Sequence, residues 1–438
     1  MAGELSIRPT LSRVNIPVMN VQQLVYCLLE LRPAEVIPQG SLPLNLCLVL
    51  DHSGSMSGSK IENLRDATNL VLDMLQPQDY ISIIIFNNRT EVAFPSQQIG
   101  DEVRRSELKL RVARLSAGGG TNMAPAMEAG LIELRKQMPA GGVGPGSGSG
   151  TPSAMVHRLV LLTDGITEKE KRCLEQAEQA ARLGVPITAL GIGTDWNDKL
   201  MQDIARRSGG EADYIASPEQ IRAHFVRTVQ QMQSVALQHA LMRVRPALGN
   251  EVRSIYRVHP LISHLNPDNA SAPGQHPTLL VPLGELERGY GQTLLVEFVL
   301  PSRPAGSYRI AQIEVEYDVP QTGLIAQRAG VDVLVTYTHD PAAISPPDQR
   351  VMDIVEKVSA FKLQTRALED LEAGNVQAAT QKLRGALTHL LNQGDAELAA
   401  TVQRELENLE KGRVMSSEGR KTIRFESGKT VRLDDRSG

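Results

Sequence analysis

The chain has 438 residues, which at roughly 150 residues per domain suggests about three domains. Lys plus Arg number 46 and Asp plus Glu number 50, so the formal net charge is −4. This balance argues against a general nucleic-acid or membrane-surface binder, which needs a large positive excess. Hydrophobic residues at 41% and charged residues at 22% exclude wholesale disorder, and aromatic residues at 3% disfavour stacking platforms for bases or sugars.

The cysteines and the first residues indicate the compartment. Cys27, Cys47 and Cys173 are too few and too scattered to predict a disulfide framework or a zinc knuckle. The chain begins without a basic region followed by an apolar stretch, so its start does not resemble a secretory signal. No run of ~18 apolar residues occurs, so no membrane span is expected. These features predict a soluble, cytoplasmic protein.

The first predicted elements are strands followed by an alternation of strands and helices. Residues 1–42 predict strands, and the apolar run Leu44–Leu50 is typical of a strand buried on both faces of a parallel sheet. Further strands are expected at 79–86, 157–162 and 185–190, and helices at 60–75, 123–138, 169–183, 201–207 and 218–234. This rhythm predicts a doubly wound, mostly parallel sheet, an α/β domain over residues 43–235.

A Gly, Pro and Ser-rich stretch at 139–153 interrupts the alternation and predicts a flexible loop. Because this loop precedes a strand, it is expected at the N-terminal edge of the sheet. Ligand sites in such folds lie at the opposite, carboxyl edge. The glycines therefore do not predict a phosphate-binding loop.

The hydrophobic period changes to two over residues 236–342, which predicts an antiparallel β-sandwich. The strands of residues 1–42 are expected to complete this domain, so that the α/β domain is an insertion in it. Residues 346–412 carry three apolar stripes at helical spacing and predict a small helical bundle. Residues 413–438 form a basic tail that is expected to be solvated, with a hairpin around Ser427 and Gly428 as the alternative.

The strongest chemical signal follows the first buried strand. Asp51, Ser53 and Ser55 place a carboxylate and two hydroxyls at alternate positions where the chain turns. Thr121 follows three glycines and opens a helix, and Asp164 ends another buried strand. Because parallel strands present their carboxyl ends at one edge, these oxygens are expected to lie together. Such a set suits a hard divalent cation.

In order and context, these five residues resemble the von Willebrand factor type A (VWA) family and its metal-ion-dependent adhesion site (MIDAS), over about residues 43–235. The resemblance implies that Ser53 and Ser55 bind the metal directly through their hydroxyls. It implies that Asp51 and Asp164 act directly or through water, and that Thr121 binds directly in some states. The implied metal is Mg²⁺, with Mn²⁺ or Ca²⁺ able to substitute.

The resemblance also implies the kind of ligand. In the family, an acidic side chain of a partner protein fills an open position on the metal, so the chain is expected to be a metal-dependent, adhesion-type or adaptor-type interaction module without enzymatic activity. No membrane partner is expected, and the oligomeric state is left open. Residues expected at the rim of the ligand site are His52, Met56, Asn122 and Gly165.

The layout outside the VWA-like region resembles inter-α-trypsin inhibitor heavy chains and short intracellular bacterial proteins that combine such a domain with a β domain and a helical tail. Two alternatives remain open from the residues themselves. A metal-dependent hydrolase would use Asp51 or Ser53, but no G-x-S-x-G or H-E-x-x-H motif occurs, and Ser59-Lys60 only approaches a phosphate-loop motif. A nucleic-acid role would use the basic tail, which lacks aromatic partners.

Overall fold

In a computed structural model, the described residues are 3–38, 40–138, 155–270 and 277–429. The predicted loop at 139–153 lies outside them. The strands are β1 Leu5–Leu11, β2 Asn15–Pro17, β3 Gln23–Pro33, β4 Leu44–Asp51, β5 Tyr80–Phe86, β6 Thr90–Gln98, β7 Val156–Thr163, β8 Ile187–Ile192, β9 Ala212–Ile215, β10 Val235–Pro246, β11 Glu251–His259, β12 Ser263–Leu265, β13 Asp268–Asn269, β14 Leu279–Glu287, β15 Gln292–Leu300, β16 Gly306–Val319 and β17 Leu324–Thr338. The helices are α1 Ser59–Met74, α2 Glu102–Val112, α3 Met123–Arg135, α4 Glu170–Arg182, α5 Asp198–Ser208, α6 Ile221–Ser234, α7 Gln349–Glu372, α8 Val376–Gln393, α9 Ala396–Glu410 and α10 Ser417–Glu426.

The chain divides into two compact units. One comprises Met1–Val36, Ala240–Tyr317 and Gln327–Gly438, and the other comprises Ile37–His239 and Asp318–Ala326. The second unit contains a six-stranded sheet in the order β6-β5-β4-β7-β8-β9. Its strand pairs are parallel except for β5 with β6. This confirms the predicted doubly wound, mostly parallel sheet.

Helices cover both faces of this sheet. Leu46 and Leu48 of β4 share one core cluster with apolar residues of α1, α2 and α6. On the opposite face α3 approaches β4 closely, because a Cβ at Gly130 would lie 3.0 Å from Val49 Cγ2 and 3.1 Å from Cys47 Sγ. Every residue of β4 is buried, as its continuous apolar pattern predicts.

The other unit contains two further sheets, with strand orders β1-β3-β15-β11-β12 and β13-β14-β10-β16-β17-β2. In the first, β3 lies between β1 and β15, with Leu28 opposite Leu295. Strands from before and after the α/β domain therefore share one sheet, which confirms that the α/β domain is inserted in the β-sandwich. The pairing of β17 with β2 is parallel, an exception to the predicted antiparallel pattern.

The C-terminal helices confirm the predicted helical region. One stripe of α7, which includes Val351 and Ile354, packs on Leu28 and Leu295 of the first antiparallel sheet. A second cluster joins α7 to α8, α9 and α10. Asp348 and Asp395 cap α7 and α9 by accepting hydrogen bonds from the backbone N–H groups of residues three positions later, at 3.0 and 3.2 Å.

The predicted hairpin at residues 413–438 is wrong in its first arm, because Ser417–Glu426 form helix α10. Ser416 caps this helix by accepting a hydrogen bond from the Gly419 N–H at 2.9 Å. Ile423 is buried in the helical cluster, and Lys421 is 0% exposed, so this part is not a solvated tail either. Lys429 forms an antiparallel bridge with Leu261, and residues 430–438 lie outside the described residues.

Candidate metal centre

The candidate site lies at the carboxyl edge of the parallel sheet. Asp51 is the last residue of β4, and Asp164 directly follows the neighbouring strand β7. These strands are paired in register, with Leu50 opposite Leu162. The two carboxylates therefore come from adjacent strand ends, as the sequence predicts.

Asp51 is a buried carboxylate, 0% exposed. Its Oδ1 accepts a hydrogen bond from Ser53 N at 2.8 Å, and its Oδ2 accepts one from Thr163 Oγ1 at 2.6 Å. Burial raises the pKa of Asp51, and the nearby charge of Asp164 raises it further, while the bonds from Thr163 and Ser53 oppose the shift. A positive charge placed next to this carboxylate would offset the free-energy cost of burying it in its ionised form.

The two serines connect the loop after β4 to Asp164. Ser53 Oγ lies 3.1 Å from Ser55 Oγ, and Ser55 Oγ donates to Asp164 Oδ1 at 2.7 Å. Asp164 Oδ2 accepts from Lys60 Nζ at 2.5 Å. Three of the predicted metal ligands thus form one chain of polar contacts.

Thr121 belongs to the same edge. A Cβ at Gly165 would lie 2.8 Å from Thr121 Oγ1, so the loop that holds Thr121 contacts the loop that follows Asp164. The preceding glycine segment, residues 118–120, is held to the loop after β4: Gly54 N donates to the carbonyl of Gly119 at 2.9 Å. Gly119 has φ +87°, a conformation that favours glycine.

Of the four residues expected at the rim of the ligand site, three lie beside the candidate ligands and one is buried in the core. His52 donates from Nδ1 to the Ser116 carbonyl at 2.9 Å, which fixes its ring beside the glycine segment. Asn122 and Gly165 are half-buried beside Thr121 and Asp164. Met56 is not at the rim: its side chain is 0% exposed and packs in the sheet's core cluster, because a short 3₁₀ turn at Gly54–Met56 points it inward.

The donor set fits a hard divalent cation. Two carboxylates and three hydroxyls supply only oxygen ligands, the preference of Mg²⁺ and Ca²⁺. Within the described residues, no group of three or more His, Cys, Asp or Glu side chains could hold a metal. A centre here would therefore depend on the hydroxyls of Ser53, Ser55 and Thr121 as well as on the carboxylates.

Sequence reasoning missed two polar groups that contact these ligands. Thr163 holds Asp51 through its hydroxyl, and its place beside Asp164 was the available signal. Lys60 forms an ion pair with Asp164. No sequence signal predicted this partner, because the two residues are far apart in the chain. Asn87 also supports the site, since its Nδ2 donates to the Gly118 carbonyl at 2.8 Å.

Comparison with protein families identifies the domain that carries these loops. Residues 45–234 match the von Willebrand factor type A domain family model. These residues form a von Willebrand factor type A domain. Residues 349–433 match a second model, described as the Sll0103-like C-terminal alpha-helical domain. Like VWA domains in general, this one is a protein-interaction module.

Similar proteins extend the match beyond the VWA domain. An uncharacterized protein of Synechocystis sp., sll0103, is 29% identical over 89% of this chain and 89% of its own length. Human inter-alpha-trypsin inhibitor heavy chain H4 is 30% identical over 40% of this chain, a match that spans 19% of that protein. A von Willebrand factor type A structure from Catenulispora acidiphila has a TM-score of 0.77 at 16% identity, covering 98% of this chain and 97% of its own, and shares the fold.

The described residues contain no helix long and apolar enough to cross a membrane.

Proposed function

We propose that the VWA domain binds an acidic side chain of a partner protein through a divalent cation at its MIDAS. The ligands would be Asp51, Ser53, Ser55, Thr121 and Asp164. The observation that carries the proposal is the run of contacts from Ser53 through Ser55 to Asp164, beside the buried Asp51.

The charges of these ligands support an anionic partner. Two carboxylates neutralise a divalent cation, and the remaining direct ligands are uncharged hydroxyls, so the ion keeps its affinity for a further carboxylate. Mg²⁺ suits one or two carboxylates with several neutral oxygens, and Mn²⁺ or Ca²⁺ could replace it. His52, Asn122 and Gly165 would border the partner's side chain.

The two alternatives have less support. A hydrolase has no motif to support it, since the sequence contains neither G-x-S-x-G nor H-E-x-x-H. Binding of nucleic acid by the C-terminal basic residues needs exposed cations. Lys421 is buried, and Arg424 pairs with Glu372 at 2.7 Å, with its own side chain 13% exposed.

The first test is binding of Mg²⁺ to the full chain by calorimetry, with Ser53→Ala compared against Ser57→Ala. Ser57 lies in the same loop, but its exposed hydroxyl donates to the Gly54 carbonyl at 2.8 Å and is outside the ligand set. We expect Ser53→Ala to weaken Mg²⁺ binding by at least about tenfold. Ser57→Ala should bind Mg²⁺ like the wild type, and equal effects of the two variants would contradict the assignment.

The second test concerns the partner. Proteins retained from a lysate in Mg²⁺ should be lost in EDTA and should not be retained by Asp51→Asn. Retention that is independent of both the metal and Asp51 would contradict metal-dependent binding.

Two further proposals concern the location and the domain bounds. We propose that the protein is cytoplasmic, which cell fractionation tests. We also propose, as limited proteolysis can test, that the chain divides at residues 1–42, 43–235, 236–342, 346–412 and 413–438.

A further inference from the structure

Lys60, in the first turn of α1, contacts a proposed metal ligand directly. Its Nζ lies 2.5 Å from Asp164 Oδ2, while Asp164 Oδ1 accepts the hydroxyl of Ser55. The Asp164 side chain is 0% exposed and that of Lys60 is 28% exposed. The ammonium group therefore reaches a buried carboxylate at the centre from a position that remains partly open to water.

This pair differs from a surface ion pair of the same domain. Lys109 and Asp73 are also 2.5 Å apart, but their side chains are 34% and 46% exposed. Water screens such an exposed pair, and its contribution to stability is small. A buried carboxylate that loses its cation is costly, because water cannot replace the lost partner. Lys60 therefore has an energetic role that Lys109 lacks.

The charges at the centre indicate what this role is. Asp51 and Asp164 together carry two negative charges when ionised, and Lys60 supplies one positive charge on the same carboxylate that the metal would use. A divalent cation and an ammonium group bound to Asp164 repel each other. Lys60 thus opposes metal binding, yet compensates the buried carboxylate whenever the metal is removed.

We propose that Lys60 is a tethered competitor of the divalent cation, which lowers the metal affinity of the centre and stabilises the domain in the absence of metal. This inference rests on the proposed function, since it requires that Asp164 bind a metal. As a consequence, the site exchanges its metal, and its occupancy follows the divalent-ion concentration.

The proposal predicts two effects of opposite sign for Lys60→Met, which keeps the apolar stem and removes the charge. In EDTA, the denaturant midpoint of the full chain should fall, because Asp164 loses its cation. In calorimetric titrations with Mn²⁺, the variant should bind at least about tenfold tighter than the wild type, the scale at which one charge within ~4–6 Å shifts an ionic equilibrium. Lys60→Arg should stay close to the wild type, and Lys109→Met is the matched control that should change neither measurement.

A second measurement covers the case in which Lys60→Met does not fold. Acetylation of the wild-type chain by acetic anhydride, read by mass spectrometry, should be faster at Lys60 in Mn²⁺ than in EDTA, because the metal displaces the amine from Asp164. The rate at Lys109 should be the same in both solutions.

The outcomes separate the two proposals. Mn²⁺ binding by the wild type, together with unchanged or weaker binding by Lys60→Met, would overturn the role of Lys60 alone. Mn²⁺ binding without any change in Lys60 acetylation would do the same. Absence of Mn²⁺ binding by the wild type would overturn the proposed metal site itself.

Discussion

Gly165 is the point at which two loops of the proposed metal site touch. A Cβ at this position would lie 2.8 Å from Thr121 Oγ1, closer than real Cβ contacts come. Glycine is therefore required here by the neighbouring hydroxyl and not by the backbone conformation. The rim residue predicted from the sequence is better described as a residue that positions Thr121.

Gly165→Ala should displace the Thr121 hydroxyl and weaken Mg²⁺ binding by about 10- to 100-fold, the range typical when a group that orients a metal ligand is changed. Calorimetry on the full chain measures this effect. Gly54→Ala is the matched control in the same site, since its Cβ would lie at an ordinary 3.4 Å from the Gly119 carbonyl oxygen. If Gly165→Ala binds Mg²⁺ as the wild type does, Thr121 is not a ligand.

Strands and helices with a strong hydrophobic pattern could be predicted from the sequence, and those with a weak hydrophobic pattern could not. The continuous apolar run of β4 identified both the strand and the edge at which Asp51 lies. Edge strand β6 and helix α2 had no clear pattern, because β6 alternates poorly and α2 buries only Leu108 and Val112. Ser427 and Gly428 suggested a hairpin, but the residues before them form α10, whose Ile423 packs against the other C-terminal helices.

Strands β4 and β7 and helix α3 are joined by a buried polar contact that sequence patterns did not reveal. Asn45 Nδ2 donates to the Leu134 carbonyl at 2.9 Å and lies 3.0 Å from His157 Nδ1. Since the Asn45 amide nitrogen can only donate, Nδ1 accepts and the His157 ring is neutral in this arrangement. Burial lowers the pKa of His157 to about 4, helped by the charge of His239.

This contact predicts a loss of stability in mild acid. His157 is 6% exposed, and its pKa is lowered on folding from 6.5 to about 4, so the folded state is stabilised relative to the unfolded chain above pH 6.5 and loses this contribution as the pH falls towards 4. At pH 5 the loss should be about 2 kcal/mol. Urea unfolding at pH 7 and pH 5 measures this loss as a difference in the free energy of unfolding. The difference should be smaller for His157→Asn than for the wild type, because the asparagine side-chain oxygen can accept from Asn45 without titrating. An equal difference would show that His157 does not titrate in this range.

At the scale of the whole molecule, the sequence predicted the insertion but not how the helices attach. Strand patterns on both sides of the VWA domain were enough to predict that its flanks form one β-sandwich. The contact of α7 with β3 includes an ion pair between Glu30 and Arg350, which are 320 positions apart, and no local pattern predicts such a pair. The same limit applies to Lys60 and Asp164, which meet only because β4 and β7 are neighbours.

The pair of Glu30 and Arg350 joins α7 to strand β3 of the first antiparallel sheet. Arg350 donates to both carboxylate oxygens of Glu30, at 2.8 and 3.2 Å, and Arg32 donates to one of them at 3.0 Å. Glu30 is 4% exposed. Burial acts to raise the pKa of Glu30, but the hydrogen bonds and charges of Arg350 and Arg32 outweigh it and hold this pKa below its usual value.

Arg350→Met should therefore destabilise the chain at pH 7 by about 2 kcal/mol, less than for a fully orphaned buried charge because Arg32 remains. Since the pKa of Glu30 is lowered on folding, the stabilisation is present above the unfolded value of 4.5 and declines as the pH falls below it. The difference in the free energy of unfolding between variant and wild type should therefore be smaller at pH 4 than at pH 7. Urea unfolding at both pH values measures this difference. Arg309→Met is the matched control: its partner Asp332 is 3.4 Å away and both side chains are about half exposed, so it should cost less than about 0.5 kcal/mol. A similar loss for both variants would mean that α7 is held by its apolar stripe alone.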